Sequence, residues 1–349
     1  MSVVHSVALA FLSILLVSTD ASAQVRKEGD FVLDNFTFHD GAKLPALSMH
    51  YVTLGDPKSP AVLVLHGTGG NGASLLSPDF GGALFGSGQP LDASRYFIIL
   101  PDMIGAGRSS KPSDGLRMRF PRYNYDDMVA ATYRLLTDGL KIRHLRLVMG
   151  NSMGGMLTWT WGEAYPDFMD ALVPLASTPA PMSGRNWILR RMLVETIKSD
   201  PEWNGGNYTS QPKSLKLANA FFGFATSGGN LGLQKQAPTR EAADRLVDGR
   251  LAAAAAGDAN DAIFQFDASR DYDPAPKLAL IAAPVLAINS ADDERNPKET
   301  GLLEKGIAQV KKGQVFLIPA SDDTRGHGTT GAARLWRDRL AKFLRDLPE

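Results

Sequence analysis

The sequence predicts an α/β fold, with a mostly parallel central sheet flanked by helices and an inserted helical cap. Short apolar runs alternate with longer segments in which apolar residues recur at helical spacing. One run leads directly into a Gly-x-Ser-x-Gly sequence, and a helix-rich segment interrupts the alternation at residues 178–277. The 349-residue chain is 44% hydrophobic and 21% charged, which is typical of a globular protein with a large core.

The predicted strands are apolar runs that are mostly bounded by Gly, Pro, Asp or Ser. In chain order they cover residues 61–65, 96–100, 145–149, 171–176, 285–289 and 315–318. Helical spacing predicts helices at residues 125–140, 155–165 and 333–347. Since helices separate most of the strands, we expect parallel pairing. Ahead of the first run, the residues around His39 and His50 are expected to form a hairpin.

The segment at residues 178–277 lacks a strand-like run. It contains helix formers at residues 187–198 and 239–256, with glycine-rich loops between them. We therefore expect a helical cap at 178–277, inserted into an α/β core made of residues 24–177 and 278–349.

Residues 1–23 are expected to be a signal peptide. The apolar stretch at 7–17 is too short to span a bilayer, and Ala21-Ser22-Ala23 has the small-x-small pattern of a signal-peptidase site. The chain contains no cysteine, so it has no disulfide to form. These features predict a periplasmic or secreted protein without stable membrane insertion after signal cleavage.

Charge and composition exclude several classes of function. Lys and Arg together number 37, as do Asp and Glu, so no excess of positive charge points to nucleic acid. The histidines and carboxylates lack the spacing of metal ligands. We expect no metal, no cofactor and no nucleic-acid partner.

A dinucleotide-binding loop is a rival interpretation of residues 67–72. They read Gly-x-Gly-x-x-Gly and follow the 61–65 strand, as such a loop does. The acid that binds the ribose should follow about 20 residues later, at the end of the next strand. Asp102 ends that strand thirty residues after Gly72, which favours a structural turn at residues 102–109.

Gly150-Asn151-Ser152-Met153-Gly154 predicts a nucleophile. A strand that enters a helix through so tight a turn forces its central residue into a strained conformation. The residues two positions away must be small, because a Cβ there would meet the turn. We expect the serine hydroxyl to stand exposed at the carboxyl end of the sheet, where substrate can reach it.

A serine hydroxyl is a poor nucleophile near neutral pH and needs a positioned base. His327 is the one histidine that follows the serine, in a glycine-bounded loop after the last strand. His5 lies in the signal segment, and His39 and His50 lie in the expected hairpin. His144 precedes the serine strand, and His66 directly follows the 61–65 strand. Elimination therefore selects His327.

The base needs an acid that holds its tautomer and stabilises the imidazolium. In the chain order serine, acid, histidine, this acid should end a strand between Ser152 and His327. Asp292 and Asp293 follow the 285–289 strand and both satisfy that condition.

An oxyanion hole would complete the site. One donor should be the backbone N–H of Met153, at the start of the helix after the serine. The second should come from the glycine-rich loop at residues 66–70, and we expect the N–H of Thr68.

Together these residues resemble the α/β-hydrolase fold, from about residue 30 to the end. Residues 150–156 and the cap segment 200–208 resemble more specifically the homoserine O-acetyltransferase branch. The resemblance maps that family's serine, aspartate and histidine onto Ser152, Asp293 and His327, with Asp293 four residues before Pro297. It implies transfer of an acetyl group from acetyl-CoA to the homoserine hydroxyl.

Three features of this sequence differ from that branch. Residues 66–70 read His-Gly-Thr-Gly-Gly instead of the His-Ala-Leu-Thr-Gly type, and Gly328, not aspartate, follows His327. The cap motif Tyr-Leu-Arg-Tyr-Gln-Gly has no counterpart between residues 215 and 265. These differences favour ordinary ester hydrolysis.

We therefore predict a serine hydrolase that cleaves a small carboxylic ester or related acyl compound through an acyl-enzyme intermediate. An O-acyltransferase that passes the acyl group to an alcohol is the alternative within the fold. A catalytically silent binding protein of the same fold is the alternative from another class. The predicted partner in each enzymatic case is a small-molecule acyl substrate.

Overall fold

A computed structural model describes residues 26–253 and 257–347. The predicted signal peptide lies outside the described residues, as does the end of the predicted 239–256 helix. Within the described residues, no helix is both long enough and apolar enough to cross a membrane.

The described residues form one eight-stranded sheet with the order β1-β2-β4-β3-β5-β6-β7-β8. The first two strands pair antiparallel as the expected hairpin, β2 pairs antiparallel with β4, and all later pairs are parallel. The predicted α/β fold is thus confirmed. The strands are β1 (Lys27–Thr37), β2 (Lys43–Leu54), β3 (Ala61–Leu65), β4 (Phe97–Pro101), β5 (Leu147–Asn151), β6 (Leu172–Leu175), β7 (Val285–Ser290) and β8 (Gly313–Ile318).

Helices cover both faces of this sheet and build the cap. Those of the core are α1 (Gly81–Leu84), α2 (Tyr125–Arg134), α3 (Met153–Ala164), α9 (Leu302–Ile307) and α10 (Arg337–Arg345). Between β6 and β7 lie α4 (Gly184–Lys198), α5 (Lys213–Thr226), α6 (Asn230–Gln236), α7 (Arg240–Ala252) and α8 (Ala259–Asp267). The described part of residues 178–277 contains no strand.

The central strands are buried on both faces because successive side chains point to opposite sides. Leu63 and Leu65 of β3 pack into the layer that contains α2 and α3. Val62 and Val64 pack into the opposite layer, which contains α1 and α10. Because side chains alternate along β3, this one short apolar strand contributes to the hydrophobic core on both faces of the sheet.

The predicted helix at residues 333–347 is interrupted in the structure. A 3₁₀ turn at Ala333–Leu335 precedes Trp336, whose φ of −143° is not helical, and α10 begins at the next residue. Trp336 is fully buried and its indole N–H donates to the Thr330 carbonyl. The helix is therefore broken at the residue whose ring is buried in the core.

Close packing of α3 against the sheet generates a stability prediction. A Cβ added at Gly155 would lie 2.3 Å from the carbonyl oxygen of Leu175 and 2.7 Å from the Ser177 hydroxyl. We expect Gly155→Ala to lower the free energy of unfolding by about 1–3 kcal/mol through overpacking, measured by urea denaturation.

Gly249→Ala is the matched control, because Gly249 lies in helix α7 with nothing within 4 Å of an added Cβ. There the substitution should stabilise by about 0.5–1 kcal/mol, since alanine loses less backbone entropy than glycine. Equal effects at both positions would show that packing on the sheet is not the cause.

Candidate active site

Ser152 occupies a strained turn between β5 and α3. Its φ of 59° and ψ of −112° are unusual for any residue with a side chain. A Cβ on Gly150 would lie 2.4 Å from the Gly154 carbonyl oxygen, and one on Gly154 would lie 2.1 Å from the Leu65 oxygen. The turn therefore requires both glycines of the Gly-x-Ser-x-Gly sequence.

Ser152, His327 and Asp293 form a chain of hydrogen bonds, although they are far apart in the sequence. The Ser152 Oγ lies 2.8 Å from Nε2 of His327. Nδ1 of the same ring lies 3.0 and 2.9 Å from the two carboxylate oxygens of Asp293. With Nδ1–H donating to the carboxylate, Nε2 accepts from the serine hydroxyl.

Ser152 is buried, with 6% of its surface exposed, so the expectation of an exposed serine was wrong. The imidazole of His327 lies against its hydroxyl. The loop after β3 also packs on it, because a Cβ added to Gly67 would be 3.5 Å from the Ser152 Cβ. The turn alone places the serine at the sheet edge, and the surrounding loops then cover it.

Asp293 is held as a carboxylate by its hydrogen bonds. It is 2% exposed, and Oδ1 accepts the backbone N–H groups of Arg295 and Asn296 at 2.8 and 3.1 Å. The Asn296 side chain donates to Oδ2 at 3.0 Å. Burial opposes ionisation, but the neighbouring His327 and these donors outweigh it and lower the pKa of Asp293.

Asp292 contacts the histidine loop instead of the histidine ring. Its Oδ2 accepts the Thr324 hydroxyl at 2.7 Å and the Gly326 N–H at 3.2 Å, while Oδ1 accepts the Ser290 hydroxyl. Of the two aspartates that the residues alone left open, the one in contact with the imidazole is Asp293.

Glu294, which the sequence did not single out, connects the histidine loop to the cap. One carboxylate oxygen accepts the N–H of His327 at 2.9 Å, and the other accepts the N–H of Gly229 at 2.7 Å. Gly229 lies directly before α6. The position of His327 is thus tied to a cap loop.

The ring of His327 is held neutral by its surroundings. Burial is the main cause that lowers its pKa, and the positive charges of Arg295 and Arg190 act in the same direction, whereas Asp293 acts against them. A neutral imidazole at neutral pH can accept a proton from Ser152.

The loop after β3 is shaped by His66, which is fully buried. Its Nε2 accepts the N–H of Met103 at 3.0 Å, so its Nδ1–H donates to the Gly67 carbonyl at 2.8 Å. Burial lowers the pKa of His66, and its ring is fully used in this loop. Thr68 follows, and its hydroxyl accepts Nη2 of Arg190 at 3.3 Å.

Met153 is the first residue of α3, so its N–H belongs to the helix end that has no intrahelical acceptor.

Asp102 uses both carboxylate oxygens on backbone groups, accepting the N–H of Gly72 and of Arg108 at 2.7 Å each. These contacts make residues 102–108 a structural support for the loop that contains Thr68.

The remaining histidines of the described chain pair with carboxylates outside the site. His39 pairs with Asp127, His50 with Asp30 and His144 with Asp170, each at 2.7 Å. Among the described residues there is no group of three or more His, Cys, Asp or Glu side chains that could hold a metal ion.

Three further residues near the site escaped sequence reasoning, namely Arg190, Arg295 and Tyr125. Arg190 is fully buried in α4, on the same face as Leu193, Val194 and Ile197. Helical spacing contained this signal, because positions three, four and seven residues apart share one face.

A cavity of about 400 Å³ adjoins the Thr68 loop, bounded by residues including Gly70, Gln265 and Phe266.

Comparison with known proteins relates the chain to a family of enzymes. A model of the alpha/beta hydrolase fold matches residues 60–320. A homoserine O-acetyltransferase of Thermobifida fusca is 35% identical over 189 residues, which cover 49% of each chain. The chain thus spans about half the length of such curated relatives.

Solved structures show the same fold. A homoserine O-acetyltransferase from Bacillus anthracis superposes with a TM-score of 0.82 at 22% identity, covering 93% of this chain and 99% of the other. An acetylester hydrolase from Corynebacterium glutamicum superposes with a TM-score of 0.79 at 22% identity, covering 92% and 96% respectively. One fold therefore serves a transferase and a hydrolase.

The contacts of Glu294 generate a prediction about local stability. In Glu294→Gln, one side-chain oxygen remains to accept a hydrogen bond, so either His327 or Gly229 loses its acceptor. A buried N–H without a partner costs about 1–3 kcal/mol. We expect amide exchange at residues 324–329 or 228–229 to accelerate by about tenfold to a hundredfold, measured by hydrogen–deuterium exchange.

Asp323→Asn removes an exposed carboxylate next to the same loop and serves as the control. It should leave exchange in both segments unchanged. Indistinguishable exchange in the Glu294 variant and the parent would contradict a tie between cap and histidine loop.

Proposed function

The chain belongs to the α/β-hydrolase fold family, and we propose that it is a serine hydrolase that cleaves a small carboxylic ester or related acyl compound. The observation that carries this proposal is the hydrogen-bonded series Ser152, His327 and Asp293. This geometry suits a nucleophile with its base and an orienting acid. The three sequence differences from the acetyltransferase branch favour water as the acyl acceptor.

In the first half-reaction, the Ser152 Oγ attacks the ester carbonyl while its proton passes to Nε2 of His327. The negative charge on the carbonyl oxygen is stabilised by the N–H groups of Met153 and Thr68. The carbon–oxygen bond of the ester then breaks, and the departing alkoxide takes the proton from Nε2. An alcohol leaves and the acyl group stays on Ser152.

In the second half-reaction, His327 removes a proton from water, and the resulting hydroxide attacks the acyl carbonyl. The bond to the Ser152 oxygen breaks, the serine recovers its proton from Nε2, and a carboxylic acid leaves. Asp293 remains ionised throughout and stabilises the imidazolium that forms in each half-reaction.

Acyl transfer to an alcohol is the second candidate, and the similarity to homoserine O-acetyltransferases supports it. The same acyl-enzyme would form, and an acceptor hydroxyl would replace water in the second half-reaction. A non-catalytic binding protein of this fold is the third candidate, in which Ser152 would be unreactive.

Ser152→Ala tests the nucleophile. Removing a triad serine costs about 10⁶-fold in turnover, and binding and the oxyanion hole retain only a small residual rate. We expect hydrolysis of p-nitrophenyl acetate to fall at least about 10⁴-fold, together with loss of covalent labelling by a fluorophosphonate probe.

Ser94→Ala is the control, since Ser94 is exposed just before β4, at the edge of the sheet opposite to Ser152. Its activity and labelling should equal those of the parent. Full activity of the Ser152 variant would falsify the assignment, and a parent that the probe does not label would favour the binding protein.

Product analysis separates hydrolysis from transfer. The parent is incubated with an acetyl ester, with and without a primary alcohol or homoserine, and the acetate and the acetylated acceptor are quantified. We expect acetate to be the main product in both cases, because water deacylates the enzyme. Acetylated acceptor in excess of acetate would show that the protein is a transferase.

A further inference from the structure

Two guanidinium groups lie on one pair of contacting aromatic rings from the cap helices α5 and α8. Cζ of Arg190 is 5.4 Å from the centre of the Phe266 ring, and Cζ of Arg295 is 4.7 Å from that of Phe222. The two rings meet edge to face with their centres 4.9 Å apart. Two positive charges are therefore held in the same small region.

Both arginines belong to segments that contact the catalytic residues. Arg190 donates to the hydroxyl of Thr68, whose loop packs on Ser152. The backbone N–H of Arg295 donates to Asp293. The charges of both lower the pKa of His327. A ligand that contacts these guanidinium groups would thus lie close enough to act on the charge of His327, the residue that serves Ser152.

Arg190 lacks full compensation within the protein. It is 0% exposed, and Nε and Nη2 donate to the neutral oxygens of Asn186 and Thr68 at 3.0 and 3.3 Å. Nη1 is buried without a hydrogen-bond partner. Within the part of the chain that the structure describes, no carboxylate forms an ion pair with this side chain.

The energetics favour an anion at this position. Burying an unpaired charge costs several kcal/mol, whereas a desolvated cation–π contact returns about 2 kcal/mol. Arg295 is partly exposed, and its Nε donates to the uncharged Thr226 carbonyl at 3.1 Å. Burial and the charge of Arg190 lower the pKa of Arg295 to about 10, which leaves it charged at neutral pH.

Tyr125 provides a second donor without an acceptor. Its hydroxyl is buried and has no partner with good hydrogen-bond geometry, although Ser269, Thr68 and Arg190 lie near it. Burial raises the pKa of Tyr125, so the phenol keeps its proton. Two buried N–H and O–H donors around Thr68 are therefore both without an acceptor.

We propose that Arg190, Arg295 and Tyr125 form an anion-binding subsite, and that the ester cleaved at Ser152 carries a carboxylate. A carboxylate accepts the planar donors of a guanidinium in a bidentate manner and removes the repulsion between the two arginines. This inference rests on the proposed hydrolase function and names the substrate class of the same site.

Two matched pairs of substrates test the proposal and locate the carboxylate. Acetoxyacetate and neutral acetoxyacetamide place the difference on the alcohol side of the ester. Monoethyl glutarate and neutral ethyl glutaramate place it on the acyl side. In at least one pair we expect kcat/KM to be at least about tenfold higher for the anion, a factor that corresponds to about 1.4 kcal/mol.

Arg190→Gln and Arg295→Gln should each lower that anion-to-amide ratio by about tenfold or more. Arg191→Gln is the matched control, because Arg191 is the next residue of α4, exposed and paired with Glu195 at 2.8 Å. It should keep the ratio of the parent. A parent ratio near one in both pairs, or a ratio unchanged in both site variants, would overturn the subsite.

Inhibition of the parent protein gives a test that needs no variant. Propionate should compete with a neutral ester, whereas propionamide, which has the same shape without the charge, should not. Equal inhibition by the two overturns the anion subsite while leaving ester hydrolysis intact. Failure of a fluorophosphonate to label Ser152 overturns the proposed hydrolase function instead, so the two failures are distinguishable.

Discussion

The left-handed backbone of Ser152 determines where the other groups of the site must lie. Such a conformation costs about 1–3 kcal/mol and persists only where the surroundings impose it. Here the Ser152 N–H donates to the Leu175 carbonyl at 2.9 Å, and its own carbonyl accepts the N–H of Met156 at 2.9 Å. Because β6 and α3 both hold the backbone of the residue, its Cβ is fixed in place, and His327 of the last loop must lie within hydrogen-bonding distance of the hydroxyl.

Three successive carboxylates after β7 hold His327 and its loop in position. Asp293 contacts the imidazole, Asp292 accepts donors from the loop that carries it, and Glu294 accepts the His327 N–H. An identical residue type at adjacent positions thus has different partners, because the chain turns after β7 and successive side chains point in different directions. Through Gly229, Glu294 also makes the cap part of the support for the base.

The charges around the base have a direct chemical consequence. Burial and two arginines keep His327 neutral, and the ionised Asp293 opposes them. An anion bound to Arg190 and Arg295 would offset their charges and make the imidazole more basic when substrate is present. Binding of an anionic substrate and activation of the serine would then depend on the same two side chains.

The amino-acid sequence by itself determined the strand–turn–helix that presents Ser152, and left His327 as the one histidine downstream of it. Both follow from local features, namely glycine spacing, apolar periodicity and residue count. Only the tertiary structure decided that Asp293, and not Asp292, contacts the imidazole ring. It also decided that Ser152 is buried, and that Arg190 is buried whereas Arg191 is exposed. The physical reason is that contacts between residues distant in the chain depend on how helices and loops pack, and local sequence patterns do not specify that packing.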